Sequence, residues 1–155
     1  MKVRINRFNP PQLHATPGYH HVTVDTVSRL AFLAGQCPLD AAGNVVGVGD
    51  LFAQVDQVTA NSLIALSAVG AEPGDVVRSV IYVATNEQAV LAAAWRRFSQ
   101  SLLATAFTTA STLIGVAVLG YPDQLVELDL TVALSPGPRS SQPTDSSGTG
   151  RDTDA

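Results

Sequence analysis

The residues able to do chemistry are few and scattered. Glu127 and Asp129 stand two apart in the alternating segment Val126-Glu127-Leu128-Asp129-Leu130. In a strand their carboxylates point to one side, about 7 Å apart. In a closed cleft such a group is a candidate general acid/base; on an open sheet it is a solvated face. Cys37 is the single cysteine, so neither an intramolecular disulfide nor a Cys-rich zinc site can form. It precedes Pro38 with no readable base or cation to make it a thiolate, which favours a packed thiol. His20 and His21 are adjacent, and in a strand they point to opposite faces and cannot chelate one ion together, even with His14 nearby. No metal is expected. Gly43, Gly47 and Gly49 are followed by no Gly-Lys-Ser/Thr, so they make no phosphate loop, and nothing else implies a cofactor.

These groups must be positioned by alternating strand and helix signals. Val3 to Phe8, His21 to Val24 and Leu30 to Ala34 read as short strands, with Pro10, Pro11, Pro17 and Gly18 marking an irregular connection. Asp50 is the expected N-cap of a helix whose stripe is Leu51, Val55, Val58, Ser62, Leu66 and Val69. Gly70 suits a left-handed cap at its end, and Pro73 prevents continuation. Residues 76–83 form a β-branched strand. A second helix opens at Thr85, with Gln88 completing a capping box, and places Leu91, Trp95, Phe98 and Leu102 on the sheet. Strands follow at 112–118 and 126–134. The order is β-β-β-α-β-α-β-β, an α+β fold with two helices on one face of a mixed sheet.

The chain has 155 residues, 46% hydrophobic and only 14% charged. A surface so poor in ions, with strands apolar on both faces, predicts that the uncovered sheet face is buried by other copies of the chain. Nine basic and 13 acidic residues give a net charge of −4. That excludes the basic stripe of a nucleic-acid binder and disfavours an anionic membrane surface. No apolar run reaches the ~20 residues that span a bilayer, and no secretory signal pattern is present, so a soluble cytoplasmic protein is the expectation. Residues 1–134 form the domain. Residues 135–155, rich in Ser, Pro, Gly and Asp, form a tail too polar to offset its ordering entropy and are expected to be disordered.

Four segments together resemble one family. Leu33-Ala34-Gly35-Gln36-Cys37-Pro38-Leu39-Asp40, with Gly43 beyond, looks like the SGQxPxDxxG stretch of the RidA/YjgF family of small trimeric proteins. Ala53 to Asn61 is similar to its AQxxQxxxN helix, Gly70-Ala71 with Asp75-Val76-Val77 to GAxxxDVV, and Val126-Glu127-Leu128 to VEI. The resemblance covers about residues 15–134. It implies a chorismate-mutase-like fold, a homotrimeric barrel and three small-molecule clefts between subunits. It further implies hydrolysis of reactive enamines and imines to ammonia and a 2-oxo acid. Carried over by position, Glu127 is the candidate general acid/base, and Tyr19 and Gly35 line the substrate cleft. The family's carboxylate-gripping arginine falls on Ser111. A hydroxyl cannot imitate a bidentate guanidinium, so Ser111 is a substrate-binding candidate only as a hydrogen-bonding group in the arginine's place, with simple strand packing the alternative. No basic residue lies between Arg97 and Arg139, so the cleft is expected to hold no guanidinium. The family's cleft Asn and Cys fall on Ala92 and Leu113, and its Ser before Gly-Gln on Ala34.

Two functions follow. One is a divergent hydrolase or deaminase acting on an imine or related carbonyl compound through Glu127 and water, inefficient on 2-iminopropanoate. The other is a non-catalytic small-molecule binder or assembly protein on the same trimer. Gln36 and Asn61 are read as structural, the former satisfying loop backbone and the latter capping or bridging a helix end.

Overall fold

The computed structural model describes residues 4–137. Residues 135–137 lie in no regular element, and the rest of the expected tail falls outside the described residues. Six strands and two helices are formed: β1 (Ile5–Phe8), β2 (Val22–Asp25), β3 (Leu30–Leu33), α1 (Leu51–Ser67), β4 (Val76–Ala84), α2 (Gln88–Ser99), β5 (Ala110–Val116) and β6 (Val126–Ala133). The sheet order is β1-β2-β3-β6-β4-β5, antiparallel except for the β4–β5 pair, which α2 connects. The expected α+β class and chorismate-mutase-like order hold.

The termini of α1 follow from the sequence. The Asp50 carboxylate accepts from the N–H groups of Phe52 and Ala53. At the other end Gly70 has φ +68°, the Ala71 N–H reaches back to the Leu66 carbonyl and the Gly70 N–H to that of Ser67. This closes the free carbonyls in a Schellman motif.

The second helix differs from expectation at both ends. It begins at Gln88, not Thr85, because β4 runs on to Ala84 and the Thr85 N–H closes a tight turn onto the Val83 carbonyl. The Thr85 hydroxyl accepts from the Glu87 N–H, and no capping box forms. After Ser99 the Ser101 hydroxyl bonds the Phe98 carbonyl and accepts from the Leu103 N–H, which turns the chain. Leu103 is thereby buried, and Leu102, expected on the apolar face, is 81% exposed. β5 likewise lies two residues earlier than expected, and Val118 is outside it and exposed.

The alternation of β6 sorts the two faces of the sheet. Val126, Leu128, Leu130 and Val132 are buried toward the helices. There they meet Ile81 and Val83 of β4, Val55, Val58 and Leu66 of α1, and Phe98 of α2. Phe98 packs on Phe107 with ring centroids 5.2 Å apart. Truncating so large a buried ring costs about 3–5 kcal/mol. The opposite face carries Glu127, Asp129 and Thr131 with their register partners Tyr82, Val80 and, across β3, Phe32. No helix covers it. Phe32 is 46% exposed and Ile114, in register with Tyr82, is 43% exposed. Among the described residues no helix is long and apolar enough to cross a membrane.

Candidate functional site

Glu127 stands on the uncovered face near the start of β6, beside the segment that continues β3. Gln36 forms an isolated bridge with Leu128, its N–H donating to the Leu128 carbonyl at 2.7 Å. That pairing turns the Gln36 side chain into the protein, where its amide donates to the Ala34 carbonyl, and leaves Gly35 and Cys37 on either side of the Glu127 carboxylate. A Cβ on Gly35 would lie 1.8 Å from Glu127 Oε1, so the carboxylate occupies the space that any side chain there would need. Glu127 Oε2 accepts from the Gln124 amide at 3.1 Å and from the Cys37 thiol at 3.6 Å. Among the described residues no cation pairs with it.

These neighbours line a hollow of about 400 Å³, bounded by Tyr19, Ala34, Gly35, Cys37, Gly120, Tyr121 and Glu127. Burial, and then the Glu127 charge, pushes the Cys37 thiol up to about 12, so at neutral pH it is a protonated donor and no nucleophile. Tyr19 is also raised, by burial first and then by its bond to Tyr121, and stays a neutral hydroxyl. Its oxygen lies 3.2 Å from His14 Nε2. The hydrogen-bond pattern assigns the tautomers behind it. His21 Nε2 is 2.9 Å from the His14 carbonyl, which can only accept, so that nitrogen carries the proton. The Nδ1 atoms of both rings are buried without partners. A bare lone pair is tolerated there better than an orphaned N–H, which puts the His14 proton on Nε2 as well. His14 then donates to Tyr19, whose own proton is left for Tyr121 or a ligand. Burial, and secondarily His21, holds the His14 ring below the ordinary imidazole value, so it is neutral at pH 7.

Ser111 lies elsewhere. It is in register with Ser79, which is in register with Leu130, so its side chain is on the helix side of the sheet. Its hydroxyl is 2.6 Å from that of Ser79. It lines a second hollow of about 560 Å³ at the β5 edge with Ala92, Trp95, Arg96 and Leu113. Tyr19, Gly35 and Glu127 are therefore brought together, and Ser111 is not brought to them within one subunit. Arg96 lines the same hollow as Ser111 within one subunit. A search along the strand could not find Arg96, because it comes from α2, which packs over β5. Trp95, expected in the core, is half-buried at the same place.

Two further groups were missed. Gln124, in the loop before β6, holds that loop by accepting from the Tyr121 N–H and donating to the Val126 carbonyl while it orients Glu127. Gln54, in the middle of a stripe that looked apolar, donates to the Gly47 and Asp123 carbonyls and accepts from the Leu125 N–H. Asn61 is structural as read, but from the interior of α1, where its amide donates to the Cys37 and Leu39 carbonyls. A polar residue at helical spacing among apolar ones was the available signal for Gln54 and Asn61. Among the described residues no group of three or more His, Cys, Asp or Glu side chains could hold a metal.

The fold, a mixed six-stranded sheet with two helices on one face, is shared by a class of small α+β proteins. A family model described as endoribonuclease L-PSP matches residues 11–134, and the chain belongs to that family, the RidA/YjgF group. A Yersinia pestis protein, YyfB, described as of unknown function in the conserved Rid family, is 32% identical. It covers 85% of this chain and 100% of its own, with a TM-score of 0.61. The Escherichia coli YjgF gene product is 24% identical, covering 83% and 98%, with a TM-score of 0.67. Escherichia coli TdcF, solved with bound serine, is 21% identical over 83% and 98%, with a TM-score of 0.66. No protein of curated function matches the chain.

Proposed function

We propose that the chain is a RidA-like protein that works in the cytoplasm as a homotrimer, hydrolysing an imine or related carbonyl compound in clefts between subunits. The observation that carries this reading is the Glu127 carboxylate, fixed by Gln124 and Cys37 against Gly35 with the neutral Tyr19 hydroxyl bounding the same hollow. Glu127 takes a proton from a water molecule as its oxygen adds to the imine carbon. It returns the proton to nitrogen, giving a carbinolamine; it then takes the proton of the new hydroxyl and passes it to the amine as the C–N bond breaks, so that ammonia leaves and the oxygen becomes a carbonyl. Tyr19 and the Gly35 backbone orient the substrate.

The exposed Phe32 and Ile114 on the uncovered face support closure by other subunits. Ser111 faces away from Glu127, so it could line the same cleft only from a neighbouring copy. The serine in TdcF supports a ligand of amino-acid size. The net charge of −4 disfavours RNA despite the family's description. With Ser111 in place of a strand-borne fork, 2-iminopropanoate is turned over poorly.

The experiment couples pyruvate formation from enzymatically generated 2-iminopropanoate to lactate dehydrogenase, and runs larger imino acids beside it by ammonia release. The expected result is slow turnover of the former, faster turnover of some of the latter, and loss of both in Glu127→Gln. Turnover unchanged in Glu127→Gln overturns the assignment. Ligand binding without turnover in either protein points to the non-catalytic alternative.

A further inference from the structure

We infer that His14 is a positioning residue for the Glu127 hollow: it donates to the Tyr19 oxygen, commits the Tyr19 proton to the ligand, and so makes the site select a group with an acceptor atom opposite Tyr19. The inference deepens the hydrolase reading and rests on it. The His14 side chain is buried, and its ring makes a single polar bond. Nδ1 has no partner, and Nε2 lies 3.2 Å from the Tyr19 oxygen. Burying an imidazole in this way carries a desolvation cost that a leucine would not. What the ring's polarity supplies in return is that one bond, and its recipient bounds the hollow that Glu127 lines.

The connection between β1 and β2 holds the pair in place without a strand ladder of its own. The Asn9 side-chain oxygen accepts from the His21 N–H at 2.9 Å. The His21 ring, edge-on to His14 with centroids 4.8 Å apart, donates to the His14 carbonyl at 2.9 Å. The Thr16 hydroxyl donates to the Tyr19 carbonyl. The backbones at His14 and Tyr19 are thus both tied down.

With the His14 proton on Nε2, the Tyr19 oxygen accepts, and its own proton goes to Tyr121 or to whatever enters the hollow. A hydroxyl that accepts one bond is a stronger donor in the next. The hollow then has a donor on one side and the Glu127 carboxylate, an acceptor, on another. The lone pair of a neutral imine nitrogen, or of a carbonyl oxygen, suits Tyr19, and the water that adds suits Glu127.

The test has two arms. In the full chain carrying isotope-labelled histidine, proton–nitrogen correlation spectra at pH 7 are expected to show His14 protonated on Nε2, the signal being assigned by its loss in His14→Gln. A proton on Nδ1 overturns the inference. In the second arm, turnover of the imino acid that the parent hydrolyses fastest is expected to fall about tenfold in His14→Leu. His14→Gln, whose amide keeps a donor for the Tyr19 oxygen, is expected to recover most of it. In a Tyr19→Phe background His14→Leu is expected to cost nothing more, because the bond it removes is already gone. Circular dichroism checks each variant for folding. A folded His14→Leu as fast as the parent, or an equal further loss in the Tyr19→Phe background, overturns this inference alone. A parent that turns over no imino acid overturns the hydrolase reading and this inference with it.

Discussion

The carboxylate of Glu127 fills the place of the side chain that Gly35 lacks: Oε1 lies 1.8 Å from where a Cβ would be. The backbone at Gly35 is not in the left-handed region, so the glycine is required by space alone. Gly35→Ala is therefore expected to fold, with Glu127 swinging out of the hollow and losing its bonds to Gln124 and Cys37. The obstructing atom is the end of a flexible side chain, and the stability cost is about 1–3 kcal/mol. Activity should fall as far as it does in Glu127→Gln. Kinetics on both variants, with urea unfolding as a control, check this; a fully active Gly35→Ala would remove the steric argument.

Gln124 is the group that aims the carboxylate, and it also bonds Tyr121 and Val126. Gln124→Leu keeps the volume and deletes all three bonds. It should lower stability by about 1–3 kcal/mol, because the buried partners are left unpaired. Activity should fall more than stability at assay temperature explains, and a kcat loss with KM unchanged would mark the loss of aim rather than of binding.

Much of the frame was legible because it is encoded locally. Asp50 caps α1 through bonds to residues two and three ahead, and β6 alternates with the period that its two environments demand. The site was legible only in part, because its contacts are long in sequence and weak in local signature. Cys37 and Glu127 are 90 residues apart. A glycine at position 35 looks the same whether it serves a turn or a carboxylate. Arg96 and Ser111 line one hollow only because α2 lies over β5, and no spacing rule predicts that. The misplaced start of α2 has the same cause: Thr85 and Gln88 satisfy the capping pattern, but the strand before them is held to Ala84 by its pairing with β5.

Asn61 ties α1 to the segment that carries Cys37, through the Cys37 and Leu39 carbonyls at 2.9 and 2.8 Å. Asn61→Ala leaves those acceptors without their donor inside the protein and should cost about 1–3 kcal/mol, seen as a Tm lower by several degrees. Asn61→Asp should be worse, since an ionised carboxylate cannot donate and is itself buried. An aspartate variant more stable than the alanine variant would contradict the assigned direction of these bonds.

Cys37 gives a pH dependence whose sign can be worked out. Its thiol is raised from 9.0 to about 12 in the folded chain. Below pH 9 both states keep the proton and the contribution to stability is fully present. Above it the unfolded chain releases the proton and the folded chain does not, so stability falls as pH rises toward 12. The slope is at most about 1.4 kcal/mol per pH unit. Urea unfolding at pH 8 and pH 10 should show a larger loss for the parent than for Cys37→Ala. Iodoacetamide at pH 8 should label Cys37 only after denaturation.

Phe32 and Ile114 lie on the sheet face that no helix covers, on strands at opposite sides of the β6–β4 pair. Both are too exposed for a free subunit to gain much from them. If three copies close over this face, each ring and side chain is removed from water, and a charge there must be desolvated without a designed partner. Phe32→Arg and Ile114→Arg are thus expected to shift the protein from trimer to monomer in sedimentation velocity. Each should retain the circular dichroism of a folded domain, since the helix-side core is untouched. Exposed surface substitutions such as Val27→Arg, in the β2–β3 turn, should leave the trimer intact. A parent that sediments as a single subunit, or trimers that persist in both arginine variants, would show that this face is not where the copies meet, and the inter-subunit cleft proposed for Glu127 would go with it.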